Sequence, residues 1–369
     1  MTTPSRPARI GLVGAGWRAE FFLRVARALP GHFTIARVLV RSTHSATSVT
    51  EEWGVAATTD IAEFERDTFD YVVVSAPAAA AGELVARFAS AGLAVLTETP
   101  PAVDVATLLS LWRLVGGARV QVAEQYHLQP HHAARLRVAA DGRIGEVTSA
   151  RVSTAHGYHG VSLARRALGA GLPDAGASPA ALGGVRITAR EVGDRMATSR
   201  GREGWKETPV EVANRRTIAL LEFETGQSAV FDFAEEQYWS PVRSRHFSIH
   251  GTLGEIDDDD VRYLAGPGRP VHARLERSAA GIAGDLGGMF LEGIALHGEP
   301  VYENRFGTAR LNDDELAVAE AMHRMARFAE TGEEFYGLAE ASHDHYLGIL
   351  VAEAAASGTE VASGAMPWA

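Results

Sequence analysis

The sequence contains no cysteine and no long apolar segment. The absence of cysteine among 369 residues excludes disulfide bonds, thiolate nucleophiles and cysteine-ligated metal sites. No uncharged apolar run approaches the ~18 residues of a membrane span, so no membrane partner is expected. A net charge of −11 makes nucleic acid an unexpected partner as well. The chain starts with polar residues where a signal peptide has an apolar core, which predicts a cytoplasmic protein.

The composition that remains is that of a globular protein, with 46% hydrophobic and 22% charged residues. The length predicts about two domains. Up to Glu124, short apolar runs alternate with stretches of helical spacing, which is typical of a parallel, doubly wound sheet in an α/β domain. After Gly145 one strand follows another, which predicts an α+β domain with an antiparallel sheet. We therefore place the first domain at residues 1–125 and the second at residues 126–369.

The second domain contains five longer strand-like runs, one loop and two helices. The predicted strands are 146–154, 185–192, 217–224, 227–234 and 245–250. Residues 168–184, rich in Gly, Ala and Pro, predict a mobile loop. The helices are predicted at 311–331 and 339–356, where they are free to pack back on the first domain.

A glycine-rich turn follows the first apolar strand. Gly14, Gly16 and Ala19 fit the pattern G-x-G-x-x-A, and an amphipathic helix starts at once behind them. Gly14 permits the tight turn, Gly16 lets the backbone approach a pyrophosphate, and Ala19 lets the helix pack closely on the sheet. This context predicts a dinucleotide-binding domain.

The end of the second strand bears on the choice of cofactor. An acidic residue there would bind the adenosine ribose, but the chain reads Arg41-Ser42-Thr43. Arg41 and two hydroxyls could hold a 2′-phosphate instead. The prediction is NADP or NAD, with NADP favoured.

Several further motifs occur in the order found in one enzyme family. They are Ser75-Ala76-Pro77, Ala91 to Pro100 ending in Glu98-Thr99-Pro100, Gln125-Tyr126-x-x-x-Pro130, Gly142-x-x-Gly145 and Gly251-x-x-Gly254-Glu255. With the Gly14/Gly16 turn, the chain resembles the Gfo/Idh/MocA family of glucose–fructose oxidoreductase and inositol dehydrogenase relatives.

The resemblance implies a Rossmann domain followed by an α+β domain with a large, mostly antiparallel open sheet. It also implies NAD(P)-dependent redox chemistry on sugars or polyols. An open sheet in the second domain would leave one face to be covered, so we expect a homo-oligomer formed through that sheet. The residues placed at the cofactor, with Arg41, are Gly14, Gly16, Trp17, Arg18, Ser75, Pro77, Glu98, Thr99 and Gln125.

Two positions depart from the family pattern. The family's catalytic lysine lies between Glu and Pro, where this chain has Thr99, and a threonine hydroxyl cannot act as a general base near neutral pH. The family's Asp-x-x-x-His motif corresponds here to Ala155 and His159. Only the histidine is kept.

A cluster of histidine and tyrosine offers acid–base chemistry in place of the lysine. His156, Tyr158 and His159 lie within four residues, and Tyr126 follows the last strand of the first domain. Histidine takes and gives protons near neutral pH. We predict His159 as the acid/base, with Tyr158, His156 and Tyr126 orienting or protonating the substrate. No third ligand accompanies His156 and His159, so no metal site is predicted.

Two more groups carry weaker hypotheses. Lys206, placed between strands, could replace the missing lysine from another position. Arg165 and Arg166 could meet an anionic substrate, or they could form a solvated helix face.

The sequence predicts an NAD(P)-dependent oxidoreductase that acts on the CH–OH group of a sugar, polyol or glycoside. Two alternatives stay open. One is a redox-neutral lyase, epimerase or glycosidase that uses the dinucleotide transiently. The other is a non-catalytic protein that senses a dinucleotide or a sugar.

Overall fold

The computed structural model describes residues 6–170, 182–201, 204–281, 289–307 and 309–368. These residues form a parallel six-stranded sheet followed by an eleven-stranded, mostly antiparallel sheet. The predicted fold class is therefore confirmed.

The first sheet has the winding of a dinucleotide-binding fold. Its strands are β1 (Ala8–Val13), β2 (Phe33–Leu39), β3 (Ala57–Thr58), β4 (Tyr71–Val74), β5 (Val95–Thr97) and β6 (Val120–Val122). Its helices are α1 (Trp17–Ala28), α2 (Thr43–Trp53), α3 (Ile61–Glu65), α4 (Ala78–Ser90) and α5 (Val105–Val115). The strand order is β3-β2-β1-β4-β5-β6, so the winding reverses between β1 and β4. Ligands of such sheets bind outside the carboxyl ends of the strands at this reversal.

The turn from β1 into α1 depends on two glycines in different ways. Gly14 has φ +108°, and a Cβ there would lie 2.2 Å from the backbone oxygen of Ser75, so only glycine fits. Gly16 is the N-cap of α1, has no side chain to cap the helix, and has no protein atom within 4 Å of where a Cβ would be. The N-terminus of α1 therefore faces open space at the point of reversal.

The second sheet begins with β7 and ends with the last strand of the chain. Its strands are β7 (Val147–Ser153), β8 (Val185–Gly201), β9 (Gly204–Phe223), β10 (Ser228–Ala234), β11 (His246–Gly251), β12 (Gly254–Asp257), β13 (Asp260–Leu264), β14 (Pro270–Ala280), β15 (Phe290–Leu296), β16 (Glu299–Glu303) and β17 (Val361–Ala362). Their order is β16-β15-β14-β13-β12-β11-β7-β10-β9-β8-β17. The pair β7–β10 is parallel.

Four helices join the two sheets. They are α6 (Pro130–Ala140), α7 (Gly157–Ala170), α8 (Asp313–Thr331) and α9 (Leu338–Ser357). Helices α7 and α9 pack on the second sheet and on each other, whereas α8 packs on α1. The Tyr71 hydroxyl of β4 donates to the Met322 carbonyl of α8 at 3.1 Å. None of the helices in these ranges combines the length and apolarity of a membrane span.

Several sequence predictions for the second domain need correction. Strands β8 and β9 are far longer than predicted, because their outward-facing polar residues hide the strand pattern, and Lys206 lies within β9 rather than between strands. Strands β12 to β16 were not predicted individually. The predicted loop at 168–184 starts within α7, and its residues 171–181 lie outside the described residues.

Candidate active site

A cleft of about 730 Å³ lies where the carboxyl edge of the first sheet meets the start of α7. The start of α1, the loop that follows β5, the segment between β6 and α6, and helix α8 contribute Trp17, Arg18, Glu98, Thr99, Pro100, Gln125, Tyr126, Gln129 and Asp314. The second domain contributes His156, Gly157, Tyr158, His159, Tyr238, Trp239, Arg245, His345, Gly348, Ile349 and Ala352.

His159 is held by a buried carboxylate. Its Nδ1 lies 2.6 Å from Oε2 of Glu124, whose side chain is fully buried just beyond β6. The other oxygen of Glu124 accepts the backbone N–H of Tyr126 at 2.9 Å. A carboxylate in this position fixes the Nδ1–H tautomer and leaves Nε2 to meet a ligand in the cleft that His159 lines.

A second hydrogen-bonded chain runs beside this pair. The Tyr126 hydroxyl donates to the Tyr238 hydroxyl at 3.0 Å, and the Tyr238 hydroxyl lies 2.8 Å from Nδ1 of His156. The Tyr126 and His159 rings are 4.9 Å apart between centroids. Burial raises the pKa of Tyr238 to about 12 and that of Tyr126 further above its ordinary value, so both hydroxyls keep their protons at neutral pH.

The remaining charges of the cleft largely pair with one another. Arg18, at the start of α1, donates from Nε to Glu98 at 2.9 Å and from Nη1 to Asp314 at 3.1 Å. Burial raises the pKa of Glu98, while the charge of Arg18 opposes that shift. Nη2 of Arg18 and Oε1 of Gln125 are buried and lack a hydrogen-bond partner among the described residues. A bound polar ligand would supply partners for both atoms.

The other tyrosine of the cluster is more deeply buried. Tyr158, in the first turn of α7, has its ring 4.7 Å from that of His159. Burial raises its pKa well above the ordinary value, and the nearby carboxylate of Glu124 adds to the shift. Tyr158 is therefore a neutral hydrogen-bonding group.

Nine of the residues predicted from sequence line the cleft. They are Trp17, Arg18, Glu98, Thr99, Gln125, Tyr126, His156, Tyr158 and His159. The other five lie at the same edge of the first sheet, outside the cleft lining: Gly14 and Gly16 after β1, Arg41 after β2, and Ser75 and Pro77 after β4. Arg41 is exposed there.

Glu124 and Tyr238 were not predicted as site residues, and the hypothesis for Arg165 and Arg166 was wrong. Glu124 and Tyr238 hold His159 and His156, yet they are 35 and 82 positions away in sequence. The one signal in the local sequence was the position of Glu124, an acidic residue that follows the apolar strand β6. Arg165 and Arg166 neither line the cleft nor form a solvated face, because they pair with Asp344 and Glu340 of α9.

No group of three or more histidine or acidic side chains in the described ranges has the arrangement of a metal site. The chain's single lysine, Lys206, lies on β9. The titratable side chains that line the cleft include histidine, tyrosine and carboxylate groups.

Comparison with known proteins bears on the first domain most directly. Residues 8–126 match the family model described as GFO_IDH_MocA, oxidoreductase family, NAD-binding Rossmann fold. An inositol 2-dehydrogenase from Rhizobium meliloti (strain 1021) is 29% identical over 151 residues, which are 40% of this chain and 44% of that enzyme. The match thus spans less than half of that relative's length. The resemblance to the Gfo/Idh/MocA family is confirmed for the Rossmann domain.

Solved structures extend the similarity in fold to almost the whole chain. An oxidoreductase from Agrobacterium radiobacter, in complex with NAD⁺, L-tartaric acid and magnesium, has a TM-score of 0.67 at 19% identity, over 96% of this chain and 98% of that one. A levoglucosan dehydrogenase in complex with NADH and levoglucosan has a TM-score of 0.67 at 17% identity, over 97% and 99%. At these identities the likeness establishes the fold.

Proposed function

We propose that this chain, whose residues 8–126 match the model of the NAD-binding Rossmann fold of the Gfo/Idh/MocA oxidoreductase family, is an NAD(P)-dependent dehydrogenase of sugars or polyols. The observation that carries the proposal is the His159–Glu124 pair, which faces the same cleft as the N-terminus of α1. A proton-transfer group and a cofactor-binding edge thus meet at one place. The inositol and levoglucosan dehydrogenases among the similar proteins support this substrate class.

The residues at the first sheet fit a dinucleotide. The open space above Gly16 leaves the first backbone N–H groups of α1 available to a pyrophosphate, and the helix dipole favours an anion there. Arg18 and Gln125, which carry the unpartnered atoms, line the same cleft as His159. When bound, the nicotinamide ring accepts the hydride that leaves the alcohol carbon.

His159 handles the proton in this reaction. As the C–H hydride leaves, Nε2 takes the proton of the substrate hydroxyl, and the buried carboxylate of Glu124 stabilises the positive imidazolium that forms. Tyr158, His156 and Tyr126 orient the substrate by hydrogen bonds. Thr99 supplies at most one hydrogen bond, because its hydroxyl does not titrate near neutral pH.

An absorbance assay tests the proposal. The purified protein is mixed with NAD⁺ or NADP⁺ and a panel of cyclic polyols, aldoses and anhydrosugars, and the near-ultraviolet absorbance of reduced nicotinamide is followed. We expect the absorbance to rise with at least one member, and His159→Ala to abolish the rise while dinucleotide affinity stays within about twofold. Full activity of His159→Ala would contradict the assigned role.

The same assay separates the alternatives. Formation of product without a lasting absorbance change would favour a redox-neutral lyase, epimerase or glycosidase. Dinucleotide binding without turnover of any substrate would favour a sensor.

We propose NADP as the preferred cofactor on the basis of Arg41. Its exposed guanidinium stands at the end of β2 without an acidic residue beside it in sequence. The Ser42 hydroxyl already caps α2 by accepting the backbone N–H of Ser45 at 3.1 Å, so Arg41 is the main candidate to bind a 2′-phosphate. Arg41→Ala is expected to weaken NADP⁺ binding about tenfold and to leave NAD⁺ binding unchanged in calorimetric titrations.

We also propose that a second copy of the chain covers the outer face of the larger sheet. Ile218 and Leu220 point outward there, 38% and 39% exposed, while Ala219 and Leu221 point to the core. The ion pair between Arg186 and Glu222 lies beside them, so exposed apolar side chains on this face are bordered by charged ones, as at the edge of a subunit contact. Leu220→Lys is expected to shift the mass measured by light scattering toward the monomer.

A further inference from the structure

Arg245 is a cation of the cleft that no carboxylate neutralises among the described residues. It lines the cleft from the segment between β10 and β11, and it is exposed. Arg18, the other arginine in the described lining, is already paired with Glu98 and Asp314. Arg245 contacts Tyr238 instead, and no acidic group of the described ranges lies within ion-pair distance of it.

The basic residues on either side of Arg245 have carboxylate partners elsewhere. Arg243 donates from Nη1 to Asp194 at 2.6 Å, and Nδ1 of His246 lies 2.7 Å from Oδ2 of Asp258. Neither aspartate is among the described residues that line the cleft. Of the three basic side chains in this segment, Arg245 is therefore the one whose charge is left for a ligand of the cleft.

The guanidinium of Arg245 is held by a tyrosine that is itself fixed. Nη2 donates to the Tyr238 carbonyl at 3.1 Å, and the guanidinium carbon lies 5.4 Å from the centroid of the Tyr238 ring. The Tyr238 hydroxyl accepts the backbone N–H of His156 at 2.9 Å, and its ring packs on that of Phe233 at 4.8 Å between centroids. A guanidinium has two edges that each present a pair of N–H donors. The Tyr238 carbonyl uses one donor, which leaves the pair on the other edge for a ligand.

The surroundings of Arg245 favour an anion although the chain as a whole is acidic. A net charge of −11 repels negatively charged substrates in general, so such a substrate needs a local cation. Helix α7 begins at Gly157, directly after the His156 N–H that Tyr238 binds, and its dipole adds positive potential there. A Cβ on Gly157 would meet no protein atom within 4 Å, so this end of α7 is open to the cleft that Gly157 lines.

We propose that the substrate is a sugar acid, whose carboxylate binds to Arg245 while His159 takes the proton of a hydroxyl in the same molecule. The inference rests on the proposed dehydrogenase function and narrows its substrate class to hexuronic and aldonic acids. One guanidinium edge matches a planar carboxylate with two parallel hydrogen bonds. A phosphate ester carries about two negative charges, which a single arginine that also serves a carbonyl neutralises only in part. The carboxylate is held and is not changed by the reaction.

Substrate pairs that differ only in charge test the proposal. Hexuronic and aldonic acids, each with its neutral primary amide, are compared in the absorbance assay with NAD⁺ or NADP⁺. For at least one acid we expect kcat/KM about 30-fold above that of its amide, the range of a hydrogen bond to a charged group. Arg245→Gln is expected to remove this ratio, and Arg245→Lys to retain part of it, because the charge stays but the paired donors are lost. Added salt should raise KM for the acid more in the wild type than in Arg245→Gln.

Arg269→Gln is the matched control. Arg269 is also exposed and also donates from Nη2 to a backbone carbonyl, that of Ala265 at 3.2 Å, but it lies between β13 and β14, away from the described lining of the cleft. We expect this variant to keep the wild-type preference for the acid.

Calorimetric titration of the same acids and amides into protein saturated with NADH measures binding without turnover. Arg245→Gln is expected to raise the Kd of the preferred acid about 30-fold and to keep dinucleotide Kd within about twofold. A loss of dinucleotide affinity in Arg245→Gln would assign the guanidinium to the coenzyme and overturn the proposal. A stronger preference for a hexose 6-phosphate than for any acid would overturn the carboxylate.

The two hypotheses fail in different ways. Oxidation of neutral sugars in preference to the acids, with no effect of Arg245→Gln, would overturn the sugar acid and leave the dehydrogenase function intact. Binding of an acid that depends on Arg245, without oxidation of any substrate, would overturn the dehydrogenase function and support the carboxylate site.

Discussion

The two walls of the cleft are built from different kinds of side chain. On the wall of the first sheet, Arg18 is shared between Glu98 and Asp314, and Thr99 also lines the cleft. On the wall of α7, His159 and Tyr158 lie beside a tyrosine–histidine chain. The first wall offers hydrogen bonds and balanced charge, and the second offers atoms that take and release protons. We infer that binding and proton transfer are divided between the two domains.

The proposed division assigns the proton transfer to His159 on the second wall. The proposed base is an imidazole, which has two nitrogens that can each hold a proton. His159 needs only an anchor for its other nitrogen. Glu124 provides it, from the end of β6 in the first domain to the start of α7 in the second.

The largest effect on kcat is expected from a substitution that weakens the contact between Glu124 and His159. In Glu124→Gln the side chain keeps one good acceptor for two donors, Nδ1 of His159 and the backbone N–H of Tyr126, and it loses the charge that stabilises an imidazolium. We expect kcat to fall about 10²-fold or more, with dinucleotide affinity unchanged. Steady-state kinetics and calorimetry measure the two quantities. Glu146→Gln, an exposed site, is the matched control. A loss of dinucleotide affinity equal to the loss in kcat would contradict the division between the walls.

A smaller effect, on the free energy of unfolding, is expected where α7 packs on α9 behind the second wall. Helix α7 rests on α9 through Arg165–Asp344 and Arg166–Glu340. Burial raises the pKa of Glu340 to about 7, against an ordinary value of 4.5, although Arg166 opposes the shift. A raised pKa means that the folded protein holds this proton more tightly than the unfolded chain. The contribution to stability is therefore complete below pH 4.5 and is lost as the pH rises through 7.

Glu340→Gln should remove this pH dependence. We expect it to raise the free energy of unfolding at pH 8 by an amount on the order of 1–3 kcal/mol and to flatten the decline between about pH 5 and 8. Urea unfolding at several pH values measures both. Glu333→Gln serves for comparison, because the Glu333–Arg327 pair is more than half exposed and should change little. An equal flattening in both variants would show that the effect does not come from the buried carboxyl.

The two domains also differ in how far the sequence predicts them. Strands of the first sheet are buried on both faces, so runs such as Tyr71–Val74 can be recognised without alternation. In the second domain one face of the sheet is exposed, and β14 is exposed at most positions, which leaves only a weak apolar pattern. The length of β14 and the strands beside it are determined by pairing with other strands, and a short stretch of sequence does not contain those partners.

The candidate site shows the same limit at the level of single residues. His156, Tyr158 and His159 were predicted because they are close in sequence and chemically alike. Glu124 and Tyr238 were not, because their partners are distant and only the folded chain brings them together. A buried acid after β6 is a sequence signal that something must pair with it, but the identity of the partner comes from the structure.

A substitution at Gly16, on the first wall, is expected to weaken dinucleotide binding about tenfold and to leave the other properties unchanged. A Cβ at Gly16 would meet no protein atom within 4 Å, so Gly16→Ala should leave the melting temperature unchanged. The methyl group would occupy the space above the N-terminus of α1, and we expect dinucleotide Kd to rise about tenfold, with kcat at saturating cofactor preserved. Gly31→Ala is the matched control, since a Cβ there is equally unobstructed at the other end of α1. If kcat falls while Kd stays constant, the first wall takes part in more than binding.

The smallest effect is expected at Thr99. Its backbone N–H donates to Oε2 of Glu98 at 3.2 Å, an interaction that any residue but proline retains, so Thr99→Ala keeps the local structure. The hydroxyl does not exchange protons near neutral pH, and His159 and Glu124 remain in place. We therefore expect kcat to change less than about threefold and the pH profile to keep its shape. A fall in kcat comparable to that of His159→Ala would move the proton transfer to the first wall, because a hydroxyl that serves only as one hydrogen bond cannot account for so large a loss.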